Sequence, residues 1–118
     1  MKLIKVRLIL VGQNNAMLTS LIPASDKIDS ILINKTLNIS CEPTQTMIDL
    51  VIIDLDNIDK EPVTAYKTAK DKLPDATVWA YYSQNRNSVK EKLLQIGFEK
   101  TLHPDSNIPE AINNFINN

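Results

Sequence analysis

Two kinds of hydrophobic pattern alternate along this chain. Short runs of branched aliphatic residues, Leu3 to Val11, Ile48 to Leu55 and Thr77 to Tyr82, read as β-strands, and Thr101-Leu102 closes the series as a very short one. The run from Ile48 to Leu55 is nearly continuous in its apolar character, the signature of a strand covered on both faces of a parallel sheet. Between these runs the apolar residues recur at helical spacing. Pro62, Ala65, Tyr66, Ala69 and Leu73 form one stripe, with Asp59 near its start and Pro62 in a first turn where its missing N–H costs nothing. Val89, Leu93 and Ile96 form a second; Ser88 and Glu91 have capping-box spacing, and Gly97-Phe98 reads as a C-terminal stop with its hydrophobic contact. Ile108, Ala111, Ile112, Phe115 and Ile116 predict a closing amphipathic helix. Strands alternating with helices predict an α/β protein, a three-layer α/β/α sandwich around a parallel sheet.

The segment from Asn14 to Met47 admits two readings. In the first, Asn15 to Ile22 is a helix stopped by Pro23, and a strand lies near Ser30 to Asn34. In the second, Ser25 to Ile33 is helical and Leu37 to Cys41 is the strand. A crossover between parallel strands takes about a dozen residues. The first reading leaves that room before Ile48 and the second does not. The first is favoured, with a shortened or irregular second helix around Pro43.

Composition narrows the function classes. The 118 residues suffice for one domain, 1–118, with a real core. The chain is 43% hydrophobic but only 5% aromatic, so aliphatic side chains must fill the interior. A net charge of −1 gives no electrostatic footprint for nucleic acid and no polybasic membrane anchor. Charges interrupt the apolar positions of Met1 to Arg7, so no signal peptide is read there, and no run approaches a membrane span. One cysteine, Cys41, excludes an internal disulfide; with no basic neighbour in sequence it reads as structural. The expectation is a soluble, cytoplasmic protein.

Asp49-Leu50-Val51-Ile52-Ile53-Asp54 delivers a carboxylate to the far end of a buried strand, and Gly97-Phe98-Glu99-Lys100-Thr101-Leu102-His103-Pro104 carries the last strand into a turn. With the strand–helix order that joins them, these segments resemble the receiver domains of bacterial response regulators over nearly the whole chain. The resemblance implies five parallel strands in the order 2-1-3-4-5. It places Asp54 at the position where receivers accept a phosphoryl group, and Gly97 to Pro104 on the block that brings a lysine beside that aspartate.

Phosphoryl transfer needs charge neutralised on the transferring oxygens. Receivers do so with Mg²⁺, held largely by an acidic pair after the first strand, together with the lysine and a Ser/Thr after the fourth strand. Here the first strand runs into Gly12-Gln13-Asn14-Asn15, whose amides offer neutral oxygens to a hard dication. Asp54 alone would hold hydrated Mg²⁺ at most weakly, and Asp56 lies two residues on. The lysine position either falls on His103, followed by Pro104, or is disturbed by a one-residue shortening of the loop; imidazole is shorter than lysine and mostly neutral at pH 7. Either Tyr82 or Ser83 falls on the Ser/Thr position: the tyrosine ring would fill the phosphate space, the serine would preserve one element. The candidate pocket is therefore Asp54 with Gly12, Gln13, Asn14, Asp56, Tyr82, Ser83, His103 and Pro104.

Each of these residues also has a plainer reading. Asp54 at a strand end begins turns and bonds loop amides about as often as it serves chemistry. Asp56 and Asp59 read as solvated or helix-capping, His103 as a loop residue, and Trp79, Tyr81 and Tyr82 as strand packing. A looser likeness, of Val11 to Ser20 to the phosphate-carrying loop of cysteine-type phosphotransferase-system IIB domains, lacks the cysteine and the glycines that loop needs. No Walker loop, Rossmann fingerprint, Ser-His-Asp set or metal-spaced His/Cys cluster is present. The expectation is a stand-alone pseudo-receiver that works through a protein partner or self-association, without the usual Mg²⁺-dependent phosphorylation and without catalysis. By the resemblance, its interacting surface lies around Val89–Ile96, Thr101–Pro104 and Ile108–Phe115. The alternatives are an atypical phosphoacceptor using Asp54 and a small-molecule-binding α/β module at the carboxyl ends of the strands.

Overall fold

A computed structural model describes residues 4–13, 16–84 and 86–117; Leu3, Asn14 and Asn15, on which sequence expectations fell, lie outside the described residues. In chain order the elements are β1 (Lys5–Val11), α1 (Ala16–Ser20), β2 (Ile28–Asn34), β3 (Met47–Asp54), one 3-10 turn (Leu55–Asn57), α2 (Pro62–Lys72), β4 (Thr77–Tyr81), α3 (Asn87–Ile96), β5 (Lys100–Leu102) and α4 (Ile108–Ile116). All strand pairs are parallel, in the order β2-β1-β3-β4-β5. This is the expected α/β sheet and order. No helix among the described residues is long and apolar enough to cross a membrane.

The central strands are buried on both faces, as their continuous apolar character requires. Ile9, Val11, Val51, Ile53, Val78 and Ala80 face α2 and α3, where Ala65 and Ala69 allow close approach and Leu93 and Phe98 fill the gap. Leu8, Leu10, Leu50, Ile52, Trp79 and Leu102 face the other layer, formed by Leu18 of α1 and Ile108, Ile112 and Ile116 of α4. Trp79 meets Phe115 edge-on at 5.6 Å, and Lys100 lies over its ring. The few aromatics serve as packing within this mainly aliphatic interior.

Of the two readings of the early segment, the first is observed: α1 ends before Pro23 and β2 reaches Asn34. The irregular second helix around Pro43 does not form, and residues 35–46 cross to β3 without one. Pro43 supplies no N–H, and the polar groups of the segment are engaged locally. Asn34 Oδ1 accepts from the Ser40 amide, and Thr44 Oγ1 from the Thr46 amide. Ile39 anchors the crossing in the core.

An ion pair holds that crossing to the sheet. Arg7 and Asp49 are register partners on β1 and β3, and the guanidinium meets the carboxylate through two bonds, Nε–Oδ1 at 2.7 Å and the terminal nitrogen–Oδ2 at 2.9 Å. The same nitrogen donates to the Glu42 carbonyl at 2.8 Å, while the Glu42 side chain meets Lys72 of α2 at 3.0 Å. Both members of the Arg7–Asp49 pair are buried, and the carboxylate drives the guanidinium pKa further up. Asp49 thus has its charge answered within the fold.

The helix boundaries correct two sequence expectations. The Ser88/Glu91 box is not used: α3 starts at Asn87 after Arg86, with no side-chain cap. Asp59 likewise does not cap α2, which begins at Pro62 with Glu61 before it. A cap that the sequence reading passed over is Asn107, whose side chain accepts from the Glu110 amide while Glu110 accepts from the Asn107 amide group. Gly97 does end α3. Its φ of +133° lies where side chains are strained, and a Cβ there would stand 2.6 Å from the Tyr66 ring, which in turn packs edge-on against Phe98.

Two stability predictions follow. Arg7→Ala, which strands the buried Asp49 carboxylate, should lower unfolding free energy by about 3–5 kcal/mol, and Arg7→Met with Asp49→Leu should recover most of it in urea titrations. Gly97→Ala should cost about 2–4 kcal/mol, from backbone strain and the collision with Tyr66.

Candidate functional site

The carboxyl ends of the parallel strands bring three loops together. β1 ends at Gly12, whose φ of +153° turns the chain; its amide donates to the Asn34 carbonyl at the end of β2. The Gln13 amide donates to the Asn57 carbonyl at the close of the 3-10 turn, so the loop after β1 is tied to both neighbours. β3 ends at Asp54, and β4 runs through Tyr81 into Tyr82 and Ser83.

Asp54 is 1% exposed, and each of its carboxylate oxygens is engaged. Oδ1 accepts from the Asp56 amide at 3.2 Å, capping the 3-10 turn, and Oδ2 accepts from the Asn57 side chain at 2.7 Å. Burial raises its pKa above the ordinary carboxylate range. The bonds from Asn57 and Asp56 pull it down in part, and the nearby Asp56 charge pushes it up again. Among the described residues, no lysine, arginine or histidine answers its charge.

Asp56 is neither a helix cap nor merely solvated. Its Oδ2 accepts from the Ser83 amide at 2.7 Å, tying the loop after β3 to the loop after β4. Ser83 therefore enters the cluster through its main chain. Tyr82 is buried on the α2/α3 face of the sheet, and its hydroxyl has no hydrogen-bond partner among the described residues. Its ring centroid is 6.5 Å from that of His103, whose Nδ1 is likewise buried with no partner among the described residues. His103 follows β5 directly and is fixed by a reciprocal pair with Ser106: its amide donates to Ser106 Oγ and its carbonyl accepts from the Ser106 amide. Pro104 is exposed in that turn. The expected residues thus divide into two groups. Gly12, Gln13, Asp54, Asp56 and Ser83 belong to the linked loops after β1, β3 and β4, whereas Tyr82, His103 and Pro104 form a second group. Asn14 lies outside the described residues.

Sequence reasoning missed two contributors to the site. Tyr81, read only as packing, is the register partner of Asp54 and points to the same face. Burial raises its hydroxyl pKa, and the charges of Asp54 and Asp56 raise it further. Counting residues back from the strand end places Tyr81 there, once the register is known. Asn57 was absent from the candidate set, although an Asp-x-x-Asn spacing over one turn signals its bond to Asp54. Away from the site, near the starts of β1 and β3, the sequence reading also passed over the pairing of Arg7 with Asp49, two charges inside apolar strands that must answer each other. Cys41 is half-buried, and burial pushes its thiol pKa up, an environment that disfavours the reactive thiolate.

Among the described residues, no three His, Cys, Asp or Glu side chains are grouped to hold a metal ion. The arrangement at Asp54 can cap a turn and store an unfavourable buried charge. Because its native pKa is raised, Asp54 contributes stability below the unfolded value of about 3.9, and that contribution is lost as pH rises through the native value. Asp54→Asn should therefore raise the melting temperature at pH 7 by roughly 2–6 °C. The gap should close as pH falls towards about 3, as checked by thermal scans across pH. A variant less stable at pH 7, with the loss shrinking in acid, would mean that a cation sustains the ionised form.

No family model and no curated protein matches the sequence. Solved structures do. One is a co-crystal structure from Saccharomyces cerevisiae of the histidine phosphotransfer signalling protein Ypd1 and the receiver domain of its downstream response regulator Ssk1. The match has a TM-score of 0.68 at 21% identity and covers 98% of this chain and 89% of that one. Another is the receiver domain of ChxR from Chlamydia trachomatis, with a TM-score of 0.61 at 14% identity, covering 96% and 97% of the two chains. At these identities the likeness is one of fold, and it agrees with the strand order: the protein has the fold of a response-regulator receiver domain.

Proposed function

We propose that the protein is a pseudo-receiver of the cytoplasm, a signalling module that works by binding another protein and does not depend on Mg²⁺-assisted phosphorylation of Asp54. The observation that carries this reading is the state of the Asp54 carboxylate. It is buried, with one oxygen on the Asp56 amide and the other on the Asn57 side chain. A phosphoacceptor needs a free oxygen and neutralising charge around it. Gly12 and Gln13 offer no anionic oxygen where an acidic pair would hold Mg²⁺, and Asp56 is committed to the Ser83 amide. The residues present do not fit the ion.

Loss of phosphoryl chemistry leaves binding as the means of signalling. The Ssk1 receiver is seen with a protein, Ypd1, and we extend that mode to this chain. The surface expected from the resemblance corresponds to α3, β5 and α4. A polar recess there is lined by Lys90, Lys100, Thr101, His103, Asn107 and Glu110. Mixed charges and amides over a short edge strand suit a polar, reversible protein contact.

The second reading, phosphorylation at Asp54, is favoured by one observation: the carboxylate stands at the strand end that the fold uses for it. Incubation with a small phosphodonor and Mg²⁺, followed by intact mass, separates the two. The proposal expects no adduct under conditions that load an active receiver. An adduct that Asp54→Asn abolishes would overturn it.

A further inference from the structure

The opposite edge of the sheet has its own chemistry. β2 is the outer strand beyond β1. The Asn34 carbonyl points inward to the Gly12 amide, so by alternation Ser30 and Leu32 also turn their main-chain groups to β1. Ile31 and Ile33 turn theirs outward, where the sheet ends. Their side chains are 41% and 54% exposed, although their register partners Leu8 and Leu10 are fully buried. The cause is α1, which runs only from Ala16 to Ser20 and stops short of covering the strand; Met17 on it is exposed as well.

Edge strands in monomeric proteins are protected by a central lysine or proline, or by extreme shortness. Between Ser30 and Asn34 this strand has neither residue, and its one irregularity lies at its start, opposite Val6 and Arg7. The charges sit at the two ends, Asp29 before and Lys35 after, both exposed.

We propose that this edge pairs with the same edge of a second copy, antiparallel across a two-fold axis, making one continuous sheet. Three registers let the outward main-chain groups of Ile31 and Ile33 bond across the axis. Centred on Ile31, the pairing sets Asp29 against Ile33; centred on Ile33, it sets Ile31 against Lys35; in each a charge meets an apolar side chain. Centred on Leu32, it sets each Ile31 against the other copy's Ile33, and each Asp29 beside the other copy's Lys35. Only the register centred on Leu32 is complementary in both charge and apolar surface, and it repeats at both ends, as an isologous interface must. The edge is separate from α3, β5 and α4, so this inference stands whether or not the reading of Asp54 does.

Sedimentation equilibrium of the full chain, from micromolar to millimolar concentration, tests it. The expected result is a concentration-dependent dimer that Ile33→Lys abolishes with the far-ultraviolet circular dichroism unchanged. Asp29→Lys and Lys35→Asp should each weaken association by roughly tenfold, and the two combined should regain it. In the unaltered protein, hydrogen exchange at the Ile31 and Ile33 amides should slow as dimer forms. A chain that stays monomeric throughout, or a dimer indifferent to Ile33→Lys, overturns the proposal. A charge swap that does not regain association overturns its register.

Discussion

A carboxylate inside a parallel sheet must be answered by a cation or by hydrogen bonds, and β3 carries one at each end. At its start, Asp49 takes a two-pronged bond from Arg7. That pair fixes the register of β1 on β3 and, through the Glu42 carbonyl, the crossing that takes the place of a helix. At its end, Asp54 receives, among the described residues, two neutral donors, the Asp56 amide and the Asn57 side chain. One carboxylate is charge-paired and the other only hydrogen-bonded, and most of what distinguishes this receiver fold follows from that difference.

The consequences reach the neighbouring loops. Because Asp54 caps the 3-10 turn, the Asn57 carbonyl is placed to accept from Gln13, and Asp56 is placed to accept from Ser83. The groups gathered at the strand ends bond to one another. In the proposed reading surfaces carry the function: a polar face on α3, β5 and α4, and the exposed apolar edge on β2.

The sheet and most helices were legible because aliphatic runs and helical stripes are dictated by burial, which the sequence records directly, whereas the strand order came from the resemblance to receivers. The early segment resolved correctly on a length argument, the room a parallel crossover needs. What failed was finer. The Ser88/Glu91 spacing suggested a cap, yet α3 begins at Asn87, because spacing alone does not fix where a helix starts. The helix expected around Pro43 gave way to local side-chain bonds and the pull of Arg7 on Glu42. At the site, Asp54 was found from its place on the strand. Tyr81 and Asn57 were not, because one depends on the register between β3 and β4 and the other on how a turn closes.

The central claim concerns the charge state and company of the Asp54 carboxyl. A carbon-13 titration of that side chain by nuclear magnetic resonance, with and without Mg²⁺, addresses it most directly. The account predicts a midpoint above that of an ordinary aspartate, unmoved by Mg²⁺. A midpoint below the ordinary value that Mg²⁺ lowers further would contradict it.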